Sequence, residues 1–192
     1  MPRLFTGLEI PEAIRLRLSL IRAPLAGAKW IDAENMHITL RFVGDVDGRT
    51  ADDFADALAE ARGRPFPLAV QGAGAFGGRE PRVLWAGITA GPELDALYRT
   101  HERAARAAGL QPDARDFKPH VTLARLRRTR PQAVARFLEE NGALRTEPFT
   151  VGRFVLLSAR PGSGGGPYVV EAAYPFEGEG EGEDVHAGAM DP

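Results

Sequence analysis

Apolar and polar positions alternate over residues 3–10, the period of a half-buried strand, and the pattern changes at Pro11-Glu12. From there Ile14, Leu18, Ile21 and Leu25 recur at roughly helical spacing, with proline at the start of the helix. After a turn near Gly27, extended stretches are expected at 29–31 and 37–43, followed by a helix over about 51–62 with Phe54, Leu58 and Ala61 inward. A strand over 66–70 closes the first half. The second half opens with a strand over 82–89, and Gly91-Pro92-Glu93 then starts a helix carrying Leu94, Leu97, Tyr98, Ala105 and Ala108, which Gly109 is placed to stop. A strand at His120–Leu126 comes next, then a helix over about 131–141 with Val134, Phe137 and Leu138 inward and Gly142 beyond it. Strands over 149–158 and 168–173, joined by a Gly-rich loop at 161–166, complete the order.

Strand, Pro-Glu, helix, strand opening on His-x-Thr-Leu, and helix thus occur twice in one order, 26 residues from proline to histidine in the first half and 28 in the second. This reads as an internal duplication with half-repeats of about 1–76 and 81–176. The chain of 192 residues, 44% hydrophobic, suits one such domain and is too short for two large ones. Residues 177–192 carry six acids and neither Lys nor Arg, and are expected to be a disordered tail. The remaining body has 24 bases against 20 acids, a net of +4, mildly suited to a polyanion but far from the bias of a dedicated nucleic-acid binder. There is no cysteine, which excludes thiolate nucleophiles, disulfides and sulfur-ligated metals. No apolar run approaches membrane-spanning length and no secretory leader is evident, so a cytoplasmic location is expected.

Two of the four histidines stand in near-identical settings 83 residues apart, Met36-His37-Ile38-Thr39-Leu40-Arg41 and Pro119-His120-Val121-Thr122-Leu123-Ala124-Arg125. Alternation puts His37 and Thr39 on one strand face, with Ile38, Leu40 and Phe42 in the core, and sets His120 and Thr122 against Val121 and Leu123. An imidazole titrates near neutrality, so a pair can remove a proton from a nucleophile and give one to a leaving oxygen, as phosphodiester cleavage requires. Threonine hydroxyls beside them can bind the non-bridging phosphate oxygens. The residues give two roles without saying which histidine takes which. Zinc would need three or four ligands, and neither motif offers them, so no metal and no cofactor is expected. His101, on the apolar stripe of its helix, and His186, in the acidic tail, read as structural or incidental.

The paired motifs, with the opening Arg3-Leu4-Phe5 strand and the stretch Arg82-Val83-Leu84-Trp85-Ala86-Gly87 between them, resemble the 2H phosphoesterase superfamily. Within it the chain is most similar to the RNA 2′,3′-cyclic phosphodiesterases, also called 2′-5′ RNA ligases or LigT-like proteins. The resemblance implies a bilobal α+β fold: two pseudo-symmetric antiparallel sheets, helices outside, and a central cleft faced by both motifs. It also implies hydrolysis of a terminal 2′,3′-cyclic phosphate to a 2′-phosphate, with His37 as proton donor and His120 as acceptor and with Thr39 and Thr122 on the phosphate. RNA 3′ ends or nucleotides would be the partners, and a monomer is expected because the duplication supplies both halves of the site.

Arg125 is a candidate added cation, although strict alternation turns it away from His120, so that a bulge would be needed; Arg41 is expected to share a face with His37. The run Arg125, Arg127, Arg128, Arg130 could steer phosphates towards the cleft, or be a solvated turn in a chain with 22 Arg and 2 Lys. Among aromatic residues that could stack on a base, Phe117 is favoured, because Phe5 and Trp85 lie in apolar strands and read as core. Two other readings share these residues: an RNA-end ligase running the same chemistry backwards, and a non-catalytic module that holds a nucleotide or RNA end.

Overall fold

The computed structural model describes residues 3–159 and 166–177. Most of the expected Gly-rich loop at 161–166, nearly all of the acidic tail, and His186 lie outside the described residues. Ten strands and four α-helices are described: β1 Arg3–Glu9, α1 Glu12–Leu20, β2 Ala28–Trp30, β3 His37–Asp45, α2 Gly48–Ala59, β4 Phe66–Leu68, β5 Val70–Phe76, β6 Val83–Ile88, α3 Pro92–Ala107, β7 His120–Leu126, α4 Pro131–Glu140, β8 Phe149–Val151, β9 Arg153–Ala159 and β10 Tyr168–Pro175.

The strands take the order β10-β9-β1-β3-β7-β6-β5, all antiparallel, with β2 added to β7 and a separate pair β4-β8. This path is two antiparallel sheets that touch at one point, because β3 and β7 pair only through Ile38 and Val121. A first lobe (β10-β9-β1-β3) carries His37 and a second (β2, β7-β6-β5) carries His120. Chain order and lobe membership differ. β5 comes before residue 80 yet pairs with β6 in the second lobe, and β9 comes late yet pairs with β1 in the first. Such an exchange ties the lobes together, since neither sheet is complete without strands from both halves of the chain.

Several boundaries differ from the periodicity. The α1 helix stops at Leu20, before Pro24, rather than running towards Leu25. The α2 helix starts at Gly48 rather than near 51, because the Asp47 carboxylate accepts from the Thr50 backbone N–H at 2.8 Å and caps it. The β5 strand, Val-Gln-Gly-Ala-Gly-Ala-Phe, has little strand propensity of its own. It forms because its partner places the Trp85 ring where a side chain at residue 74 would stand, a site only glycine can occupy. Helix faces and outer strand faces merge into one core that includes Leu8, Leu18, Ile38, Phe54, Leu84, Leu123 and Phe137. On the opposite face of the first lobe, Phe5, Val155, Leu157 and Ala159, with Tyr168 against them, form a smaller cluster facing the cleft.

Candidate active site

The two motif strands share an irregularity. In β3, Gly7 pairs with Thr39 and Thr6 with Arg41, leaving Leu40 as an extra residue. In β7, Trp85 pairs with Thr122 and Leu84 with Ala124, leaving Leu123 as the extra one. Each is a β-bulge three residues after the motif histidine, and each reverses the alternation beyond it. The consequences are opposite for the two arginines. Arg125 comes round onto the face of His120 and Thr122 and lines the cleft. Arg41 turns into the interior, 6% exposed, and the expectation that it shares a face with His37 is overturned. Phe42, expected in the core, is instead 43% exposed on the cleft face.

Once inside, Arg41 is paired with acids and backbone carbonyls. Its Nε lies 2.5 Å from the Glu102 carboxylate of α3, a terminal nitrogen donates to the Phe42 carbonyl at 2.7 Å, and another donates to the Gln111 carbonyl. Asp113 stands 3.7 Å away and is also paired with Arg115, which holds its carboxyl below the usual range. A buried guanidinium thus ties β3 to α3 and to the segment leading into β7.

Both histidines point into one cleft of about 860 Å³, together with Thr39, Thr122 and Arg125. Ile38 and Val121 are the seam between the lobes, and the strands run antiparallel from that pair, so His37 sits on the side of Thr122 and Thr39 on the side of His120. Each ring is held by the carbonyl two residues before it: His37 Nδ1 lies 2.8 Å from the Asn35 carbonyl, and His120 Nδ1 lies 2.6 Å from that of Lys118. In that tautomer Nδ1 donates, and Nε2 is the nitrogen able to gain or lose a proton. His37 Nε2 is 3.0 Å from the Thr39 hydroxyl.

Aromatic rings fix the imidazoles from behind. Phe5 lies 4.9 Å from His37, and Tyr168 meets it edge-on at 5.1 Å. Phe76 meets His120 edge-on at 4.9 Å, and Trp85 lies 6.2 Å away. Phe5 and Trp85 are buried, as an apolar strand residue should be, but their packing partners include the motif histidines. Phe117 lines the cleft with one face stacked on Tyr98 at 4.2 Å. The motif spacing does not single out Phe76, Tyr98 or the two carbonyl anchors. The anchors do leave a signal, since both stand two positions before a histidine.

Packing against these rings pushes the His37 imidazole down to about 4; its bond to the Asn35 carbonyl opposes this, and the charges of His120 and Arg125 add to it. The same burial lowers His120, offset by its bond to Lys118 and reinforced by the Lys118 and Arg115 charges. Both rings are therefore neutral near pH 7. His101, also pushed to about 4 by burial, is fully enclosed against Phe154 and takes no part in the cleft. Among the described residues there is no cluster of three or more His, Asp or Glu able to hold a metal ion, and no helix long and apolar enough to cross a membrane.

A family model described as LigT like Phosphoesterase matches residues 8–85 and 88–168. The RNA 2′,3′-cyclic phosphodiesterase of Archaeoglobus fulgidus is 30% identical over 167 residues, spanning 83% of this chain and 94% of the relative. That of Aeropyrum pernix is 37% identical over 133 residues, spanning 66% and 76%. Among solved structures, a protein of Thermus thermophilus superposes with a TM-score of 0.74 at 24% identity, covering 93% of this chain and all of the other. Escherichia coli LigT, solved with 3′-AMP, gives 0.74 at 24% identity, covering 92% of this chain and 99% of the other. The strand order, the two His-x-Thr strands meeting at one cleft and these matches agree: the chain belongs to the LigT-like phosphoesterase family.

Proposed function

We propose that this protein hydrolyses the terminal 2′,3′-cyclic phosphate of RNA to a 2′-phosphate, with His37 and His120 as its acid and base. The observation that carries the reading is the convergence of two histidines, two threonines and Arg125 on one cleft, in a chain whose relatives are named RNA 2′,3′-cyclic phosphodiesterases. Water attacks phosphorus and gives its proton to His120 Nε2; the bond from phosphorus to O3′ breaks, and O3′ takes a proton from His37. One proton enters the site and one leaves, so the pair is restored by exchange with solvent. Thr39, Thr122 and Arg125 hold the non-bridging oxygens, each such bond to a charged group being worth about 1.5–3 kcal/mol. Burial leaves His37 neutral near pH 7, so its role as donor requires that binding of the substrate raise it. Anionic substrate bound beside it favours the charged ring and loads the proton before reaction. The family model's two separate matches support reading the chain as one duplicated domain with half-repeats of about 1–76 and 81–176. Both motifs come from one chain, so the enzyme is taken to work as a monomer, in the cytoplasm, on RNA 3′ ends or nucleotides.

The test is hydrolysis of a short RNA bearing a 2′,3′-cyclic phosphate, with EDTA present and the product's phosphate position identified. Wild type should yield the 2′-phosphate, and His37→Ala and His120→Ala should each be slower by about 10²–10⁴-fold. A 3′-phosphate product, loss of activity in EDTA, or a full-rate histidine variant would each remove part of the mechanism. Joining of a supplied 5′-hydroxyl end in place of hydrolysis would move the reading to a ligase.

A further inference from the structure

Beyond Arg125 the cleft ends, but the basic surface does not. Lys29 of β2 pairs directly with Arg125 of β7, and both are exposed. Trp30, the next residue along β2, packs on Phe137 of α4, so Lys29 faces the other way, towards the cleft side of the sheet. The ladder continues one step further, where the Arg127 backbone N–H donates to the Gly27 carbonyl at 2.8 Å. Alternation then keeps exposed Arg127 on the face of Arg125. A side chain at residue 27 would collide with the Arg127 carbonyl, so glycine lets β2 lie close enough to make this surface. Arg128 takes a φ of 55°, a left-handed conformation rare for arginine, and turns the chain at the end of the row.

Two like charges set directly opposite across a ladder repel each other and weaken the sheet. Nothing among the described residues relieves them: Lys29, Arg125, Arg127, Arg128 and Arg130 form no ion pair. In the first lobe, by contrast, Arg3 is matched by Asp45, Arg41 by Glu102 and Arg153 by Glu9. An unrelieved cationic pair, held in register beside the phosphate-binding threonine of its own strand, suits a ligand that brings more than one negative charge.

Resting on the activity proposed above, we infer that Lys29 and Arg127 extend the site beyond Arg125 as a track for the phosphates of the nucleotides preceding the reacting end. The ribose carrying the cyclic phosphate sits between His37 and His120, and the RNA leaves over the second lobe. The substrate class is therefore an oligonucleotide end in preference to a free cyclic mononucleotide.

The experiment compares cytidine 2′,3′-cyclic phosphate with an RNA of about eight nucleotides ending in the same group, using wild type, Lys29→Met, Arg127→Met and Lys29→Arg over a range of salt. Binding of an RNA with an uncleavable 3′-phosphate is followed by anisotropy. Wild type should show a KM for the RNA at least tenfold below that for the mononucleotide. Either Met variant should raise the RNA KM several-fold, leave kcat and KM on the mononucleotide unchanged, and flatten the salt dependence of RNA binding by about 0.7 in log–log slope for each phosphate no longer neutralised. Lys29→Arg should behave as wild type, and Lys29→Met should melt no lower than wild type because a repulsive pair has been removed. Equal losses on both substrates, or RNA binding indifferent to Lys29 and Arg127, would overturn the track while mononucleotide hydrolysis still upholds the proposed activity. Lys29-dependent RNA binding by a protein that hydrolyses neither substrate would uphold the track and sink the activity.

Discussion

The two lobes present the same motif with the same bulge, yet the residues just beyond each bulge differ. After Leu40 the first lobe places Arg41 in the interior and Phe42 at the cleft; after Leu123 the second places Ala124 in the interior and Arg125 at the cleft. The first lobe thus uses its cation for architecture and offers the cleft an aromatic ring. The second keeps its interior small and apolar and offers the cleft a charge. The charges show the same division: the arginines on the first lobe's strands are matched by acids, whereas among the described residues the second's row beyond Arg125 is not. A shared backbone device therefore gives the cleft a histidine and a threonine from each lobe but an arginine from one lobe only.

Breaking the buried pair should have the largest effect. Arg41→Met leaves Glu102 without its cation in a poorly solvated pocket, while Asp113 keeps Arg115, and loss of one partner of a buried pair costs about 3–5 kcal/mol. Denaturant unfolding should register this as a lower midpoint, whereas Ala124→Ser, at the corresponding place in the second lobe, should cost far less. Unchanged stability in Arg41→Met would mean the ion pairs do not fasten β3 to α3. The contrast at the cleft is sharpened by Arg125→Met and Phe42→Leu. The first should reduce kcat/KM on a cyclic mononucleotide by about 10–100-fold through the lost charge-assisted bond, and the second by less. Equal losses from both would mean that the phosphate is held symmetrically.

The motif pair is legible in the sequence because alternation fixes which side chains share a face, and the short strands from His37 to Thr39 and from His120 to Thr122 obey it. Alternation fails just past them. A bulge leaves no mark in a run such as Ile-Thr-Leu-Arg-Phe, since Leu40 is as apolar as any core residue, so strict alternation puts Arg41 and Phe42 on the wrong faces. The same bulge in β7 removes the objection to Arg125. The β5 strand is invisible for another reason: Gly74 answers to the indole of Trp85 across the ladder, a tertiary demand that local propensity does not carry. The swap of β5 and β9 between lobes is equally beyond periodicity, which orders elements along the chain without saying which sheet receives them.

The most direct test of the two-histidine cleft is the pH dependence of kcat/KM for a cyclic phosphate. One histidine must be protonated and the other neutral, and burial depresses both below the ordinary imidazole value, His37 to about 4. Protonating the base ends activity at low pH, and deprotonating the acid ends it as pH rises, so both limbs move to the acid side together. The expected result is a bell with a one-proton limb on each side and its maximum below about pH 6.5, while the kcat profile lies at higher pH because bound phosphate stabilises the charged ring. A profile that rises in one direction only, or a kcat/KM optimum above about pH 7, would contradict the claim that His37 and His120 act as an acid–base pair in this cleft.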